Sequence, residues 1–232
     1  MGSPFPFDPP PRTTVPLSDG RAFPVRRVFC VGRNYADHVV EMGGDVSRNP
    51  PVFFTKPADA VRCNPASLPW PLATDDLHHE VEWVVALYGG GRRLSPDAAG
   101  ALVGASGVGV DLTRRDLQTR AKQGGEPWDA AKAFDDSAPL SALRVGSLAS
   151  IPADTRLSLS VNGALRQDAT IAHMIRSVPA LLSELSELFE LAAGDLVFTG
   201  TPAGVAALAP GDQVEAVLEG VAELTFRMEG GG

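Results

Sequence analysis

Cysteine, histidine and aromatic residues are scarce in this chain of 232 residues, and long apolar runs are missing. The two cysteines, Cys30 and Cys63, are far apart and form no CxxC pair, so both are expected as reduced thiols. No stretch is apolar for long enough to span a bilayer, and the N-terminus has neither the basic nor the apolar region of a secretory signal. A cytoplasmic protein with no membrane partner is expected. Gly2 opens no myristoylation signal, because Pro6 stands where that motif takes Ser or Thr. Excess positive charge is also lacking. With a net charge of -8, the chain as a whole should attract neither nucleic acid nor an anionic membrane. An anionic substrate would need locally clustered cations, for which Arg33, Arg114, Arg115 and Lys132 are candidates. Two nucleotide signatures fail as well. No Gly-Lys-Ser/Thr follows Thr199-Gly200-Thr201-Pro202, and Gly104 to Gly109 lacks both the GxGxxG order and a following helix.

Hydrophobic residues make up 44% of the chain, enough to bury a substantial core in one large domain or two small ones. Six prolines between Pro4 and Pro16 predict an extended surface run at the start. Short strands are expected over Arg27 to Gly32, Pro51 to Pro57, His79 to Leu87 and Ala105 to Val110. Further strands are expected at Leu157 to Val161, Leu196 to Phe198, Gln213 to Leu218 and Ala222 to Met228. Asn162-Gly163 is a hairpin turn signal. Helices are expected over Tyr35 to Met42, from Ser95-Pro96 to near Val103, from a capping box at Thr113 to Gly124-Gly125, and over Ser177 to Leu191. Strands outnumber helices, and the two do not alternate regularly enough for a doubly wound sheet. The fold class is α+β, mostly β.

Glu80-Val81-Glu82 is the most informative segment. On one strand the two glutamates share a face, with alpha carbons about 6.6 to 7 Å apart, and Asp111 ends the next apolar stretch. Three carboxylates aimed at one point suit Mg²⁺ or Mn²⁺, with positions left open for water or a chelating substrate. Taken alone, Glu-x-Glu also describes the wet face of an ordinary strand. His38 and Glu41, at i and i+3, form a general base pair if their segment is helical, or else a solvated surface pair. Lys132, among small and apolar residues, is either partly buried for a function or snorkels at a rim. The Thr199 to Gly204 turn offers amides and hydroxyls to a carboxylate. His78 is a ligand or a supporting donor on the glutamate face, whereas His79 points away. The run from Asn34 to Pro50 has little apolar area to hold it down, and is expected to close as a lid over the metal.

Cys30 to His38, His78 to Glu82, Val110 to Gln118, Ala131 to Phe134, Val161 to Gly163 and Thr199 to Gly204 together resemble the fumarylacetoacetate hydrolase family, especially its short acylpyruvase and fumarylpyruvate hydrolase members. The matching segments keep the family's order from about Phe23 onward. This divides the chain into an extended Pro-rich segment, 1–22, and a catalytic domain, 23–229. The resemblance implies a β-roll-like fold, a homodimer, and Mg²⁺ or Mn²⁺ on Glu80, Glu82 and Asp111. It further implies a base dyad of His38 and Glu41, Lys132 as electrostatic partner, and Arg115 and Gln118 at the substrate, where Arg33 and Thr201 are expected as well. The N-terminal domain and additional aspartate ligand of the longer family members are absent here.

The implied reaction is hydrolysis of the carbon–carbon bond of an acylpyruvate, a small anionic diketo acid, with fumarylpyruvate to fumarate and pyruvate as the first expectation. An oxaloacetate decarboxylase, or an isomerase or decarboxylase of a related keto diacid, is the rival enzyme. A non-catalytic metal-binding or ligand-sensing protein is the rival of another class.

Overall fold

The computed structural model describes residues 5–41 and 50–230. The expected lid, Asn34 to Pro50, is described over 34–41 and at Pro50, while its part from Met42 through Gly43-Gly44 to Asn49 lies outside the described residues. At the centre is Val81–Leu87, buried along its whole length, as expected of a strand covered on both faces. Val103–Val110 pairs with one edge and Asp195–Phe198 with the other, both antiparallel. Beyond Asp195–Phe198 come Arg27–Gly32 and Val52–Lys56; beyond Val103–Val110 come Ala138–Leu140 and Val61–Cys63. With Arg144–Val145 off the main path, these form an eight-stranded sheet that curls into a half-barrel. The fold is α+β and mostly strand, as the sequence pattern indicated.

Alternation along the central strand feeds two cores. Val81, Trp83, Val85 and Leu87 enter the larger one, which the second sheet and the helix Val178–Leu188 close through Leu181, Leu182 and Leu185. Val84 and Ala86 enter the other, with Val28, Cys30 and Phe198. Glu82 shares their face, so its carboxylate rises at the rim of this second core. The hairpin Thr14–Pro16 with Ala22–Pro24 caps it, burying Val15 and Phe23. The five-stranded sheet holds the expected Arg156–Val161 and Ala164–Thr170 hairpin, turned at Asn162 and Gly163 with φ of 52° and 76°. Positive φ at both positions is the primed turn that suits the twist of paired strands.

Three local expectations need correction. His79 to Leu87 is not one strand: Leu77–His79 joins a separate three-stranded sheet with Thr113–Arg114 and Ala206–Ala207, and the break falls at Glu80. Thr113 forms no capping box, because pairing with His78 holds it extended; Arg114 is the N-cap of helix Arg115–Gly124 and makes no side-chain cap bond. The helix opened by Ser95 is only Pro96–Gly100, since the strand claims the chain from Val103. The helix expected from Tyr35 is described over Ala36–Glu41. Among the described residues no helix is long and apolar enough to cross a membrane.

Candidate metal centre and active site

Backbone pairing brings the three acidic residues together. Glu82 lies opposite Gly109 in the central ladder, and the Asp111 amide donates to the Glu80 carbonyl at 2.8 Å. Gly109 has to be glycine here, because a Cβ would stand 2.6 Å from the Phe198 ring. The break at Glu80 is secured by Gln167, whose Oε1 accepts from the Val81 amide at 3.0 Å and from His79 Nδ1 at 2.9 Å. One oxygen from each of Glu80, Glu82 and Asp111 then lies within 4.8 Å of the others, and all three residues are buried.

Among the described residues, three buried cations face these three anions. The Lys132 ammonium donates to Glu80 Oε2 at 2.9 Å, Asp111 Oδ2 at 2.6 Å and Thr113 Oγ1 at 2.6 Å. Lys56 sits 2.9 Å from Asp111 Oδ1 and donates to the carbonyls of Leu112 and Lys132. Arg115 donates to Glu80 Oε1 and Gln118 Oε1. Burial alone would raise the Glu80 carboxyl, but Lys132, Arg115 and His38 hold it well below the usual range. Burial likewise opposes the charge on Lys132, and Asp111 and Glu80 outweigh it, raising its pKa. Glu82 differs: burial, then Asp111 and Glu80, push its carboxyl well up, against one short bond from the Gly200 amide at 2.6 Å.

This donor set fits a hard divalent cation. All three groups offer oxygen, the preference of Mg²⁺ and Mn²⁺. Asp111 Oδ1 is buried with an ammonium nearby but no hydrogen bond of proper geometry. A cation among the carboxylates would also offset the burial and the repulsion from Asp111 and Glu80 that raise the Glu82 carboxyl.

Beside the acidic cluster, the helix Ala36–Glu41 carries His38, buried, with Nδ1 3.2 Å from Glu41 Oε2. Glu41 is in turn held by the Gly204 amide at 3.1 Å. A carboxylate oxygen accepts, so Nδ1 carries the hydrogen in this pair, and in the neutral imidazole the lone pair then lies on Nε2. Asn34 does not line the site. Its side chain knits three backbone segments, donating to Thr199 O and Arg176 O and accepting from the Arg176 amide. Arg33, half-buried, adopts φ of 67° at the strand end. Thr201 is buried, and its Oγ1 accepts from Gln167 Nε2 at 2.8 Å.

The family profile described as fumarylacetoacetate (FAA) hydrolase C-terminal matches residues 27–229. The chain belongs to this family. Among solved structures it is similar to the fumarylpyruvate hydrolase of Pseudomonas aeruginosa in complex with Mn²⁺ and pyruvate. That likeness has 43% identity and a TM-score of 0.94, covering 97% of this chain and 99% of the other. Among characterised sequences it is 42% identical over 199 residues to the oxaloacetate tautomerase YcgM of Escherichia coli K12, covering 85% of this chain and 90% of that one. The human mitochondrial oxaloacetate tautomerase is 39% identical over 204 residues, covering 88% and 92%.

Of the residues singled out in this family member's sequence, Glu80, Glu82, Asp111, Lys132, Arg115 and Gln118 form one connected cluster, and His38 pairs with Glu41. His78 falls outside the acidic group; its Nε2 meets Asp76 at 2.8 Å and its Nδ1 accepts from Arg115 at 3.4 Å, steadying the arginine. Arg114 faces away from the cluster, donating to the Ala130 carbonyl with its guanidinium over Phe134. Lys56 and Gln167 escaped the sequence reading. Lys56 had a signal, a charged residue closing an otherwise apolar strand; Gln167 had none, because its strand is half polar.

Proposed function

We propose that this protein hydrolyses the carbon–carbon bond of an acylpyruvate, with fumarylpyruvate the first substrate to test, using Mg²⁺ or Mn²⁺ held by Glu80, Glu82 and Asp111. The observation that carries the reading is the balance of charge in the centre. Three buried carboxylates meet three buried cations, so a divalent ion leaves an excess of two positive charges for a dianionic keto acid. When bound, such an ion supplies a Lewis acid for the carboxylate and neighbouring oxygen of the substrate.

His38 accepts a proton from water through Nε2, and Glu41 stabilises the imidazolium that results. The water oxygen adds to the distal acyl carbonyl. The bond to the pyruvate methylene then breaks, and its electron pair leaves as an enolate that takes up a proton. Lys132, whose three N–H groups are already donated to Glu80, Asp111 and Thr113, stabilises that enolate charge through space. Arg115, Gln118, Arg33 and the hydroxyl of Thr201 orient the substrate. The Thr201 oxygen already accepts from Gln167, so its own hydrogen is free to be donated. Assembly as a homodimer belongs to the same reading and is tested by light scattering.

Oxaloacetate chemistry is the second reading, favoured by the two tautomerase relatives. The same dyad could move a proton at carbon, with no water added. Steady-state assays of the Mn²⁺-loaded protein on fumarylpyruvate, acetylpyruvate and oxaloacetate separate the two. A kcat/KM for fumarylpyruvate far above that for oxaloacetate enolisation or decarboxylation is expected, and the reverse order would replace the hydrolase assignment.

A further inference from the structure

Helix Arg115–Gly124 presents Arg115, Gln118 and Lys122 at i, i+3 and i+7, a single stripe. The first two end in the acidic centre. Lys122 lies two turns further along, an axial rise of about 10.5 Å from Arg115. Its ammonium stands 5.2 Å from the centroid of the Trp128 ring. Trp128 packs on Phe54 at 5.9 Å, and Phe54 in turn lies 5.2 Å from the ammonium of Lys132. An aromatic wall therefore connects the buried lysine of the centre to the exposed one.

The charges around Lys122 are predominantly of its own sign. Lys122 is exposed as a whole, but neighbouring side chains strip part of the water from its ammonium; that partial desolvation, and then the like charges of Arg115, Lys132 and Arg33, push its pKa down to about 8, opposed by Glu80. Glu80 is itself engaged by Lys132 and Arg115. Cations on three different elements thus act together on Lys122, which stands beside a recess lined by Phe54, Trp128 and Lys132 and by the exposed carboxylates of Glu126 and Asp129. Such an arrangement is relieved by an incoming anion.

We infer that Lys122 receives the far carboxylate of the substrate, and so selects keto acids whose acyl chain ends in a carboxylate over those with a neutral tail. The inference rests on the reading above in one respect, that the keto-acid end lies at Glu80, Glu82 and Asp111. Phe54 and Trp128 would flank the carbon chain between the two ends. Because the chelating end is common to all acylpyruvates, discrimination by the acyl group has to come from this outer end.

The test is binding without turnover, using calorimetry on the Mn²⁺-loaded protein. Two probes of equal chain length, 2-oxoadipate and 2-oxohexanoate, differ only in the tail carboxylate. Wild type should bind the diacid roughly tenfold more tightly, between the value of an exposed ion pair and that of a charged hydrogen bond. K122M should bring the ratio of the two Kd values close to one, and K122R should restore most of it. An equal ratio in wild type and K122M, or no preference in wild type, overturns the inference. Because no bond breaks in this assay, loss of the hydrolase assignment would leave a positive result intact. Conversely, an acylpyruvate hydrolase whose K122M variant keeps the ratio would retain that activity and lose this inference.

Discussion

Replacing Lys132 by Met keeps much of the side-chain volume and removes the charge on which the acidic centre depends. Lys132 is 2% exposed, and its ammonium is shared between Glu80 Oε2 at 2.9 Å and Asp111 Oδ2 at 2.6 Å. Its loss leaves two buried carboxylates short of a partner. Breaking a buried pair from one side costs about 3–5 kcal/mol. Arg115 still holds Glu80 and Lys56 still holds Asp111, so the lower end of that range applies. At about 2–4 °C per kcal/mol for a domain of this size, metal-free K132M should melt roughly 6–12 °C below wild type.

The difference should also depend on pH. Against burial, Lys132 and Arg115 hold the Glu80 carboxyl well below its ordinary 4.5. A depressed carboxylate adds stability above the unfolded pKa and loses it as pH falls through the folded value. Without Lys132 that increment shrinks, so the gap between variant and wild type should be full above the ordinary carboxylate value of 4.5 and close only as pH falls below it, towards the depressed folded value. Mn²⁺ should narrow it as well, since the cation supplies the missing positive charge. Thermal unfolding in EDTA and in Mn²⁺, across pH, measures all three effects. A metal-free K132M melting within about 2 °C of wild type at neutral pH would refute the electrostatic account of the centre.

Glu82 should behave with the opposite sign. Burial, Asp111 and Glu80 raise its carboxyl in the metal-free protein, so stability falls as pH rises above 4.5 until the raised pKa is passed. E82Q should flatten that decline in EDTA, and E82A should abolish stoichiometric Mn²⁺ binding while the fold, followed by circular dichroism, persists. H38A should lower turnover by about a hundredfold to ten-thousandfold with Mn²⁺ affinity nearly unchanged, which kinetics and calorimetry check together. Q167M removes the donor to Thr201 and the acceptor for Val81. It should raise KM roughly tenfold, and adding T201V should cost less in that background than in wild type.

The acidic triad was legible because a period of two and a strand-ending aspartate are local patterns. The reason for its convergence was not legible. Glu80 sits in a break between two sheets, and only the tertiary pairing of Leu77–His79 with Thr113–Arg114 shows why. His38 and Glu41 were visible as a helical spacing, but the Gly204 amide that holds Glu41 is 163 residues away. Long-range partners of this kind leave no periodic trace. Lys132 could be narrowed only to burial or snorkelling, since a lysine among alanines is compatible with either until its counter-charges are known. Lys56 reads as an ordinary strand end until the fold brings Asp111 to it. The turn at Thr199 to Gly204 was expected to offer amides to a carboxylate, and one such carboxylate is the protein's own Glu82.

The proposed reaction adds water across a carbon–carbon bond at this centre. Mn²⁺-loaded protein should be given fumarylpyruvate in ¹⁸O-labelled water, with the products analysed by mass spectrometry at early time. One ¹⁸O atom in a carboxylate of the released fumarate, with pyruvate formed in equal amount, is the predicted result. Fumarylpyruvate left intact, while the same preparation interconverts or decarboxylates oxaloacetate, would contradict it.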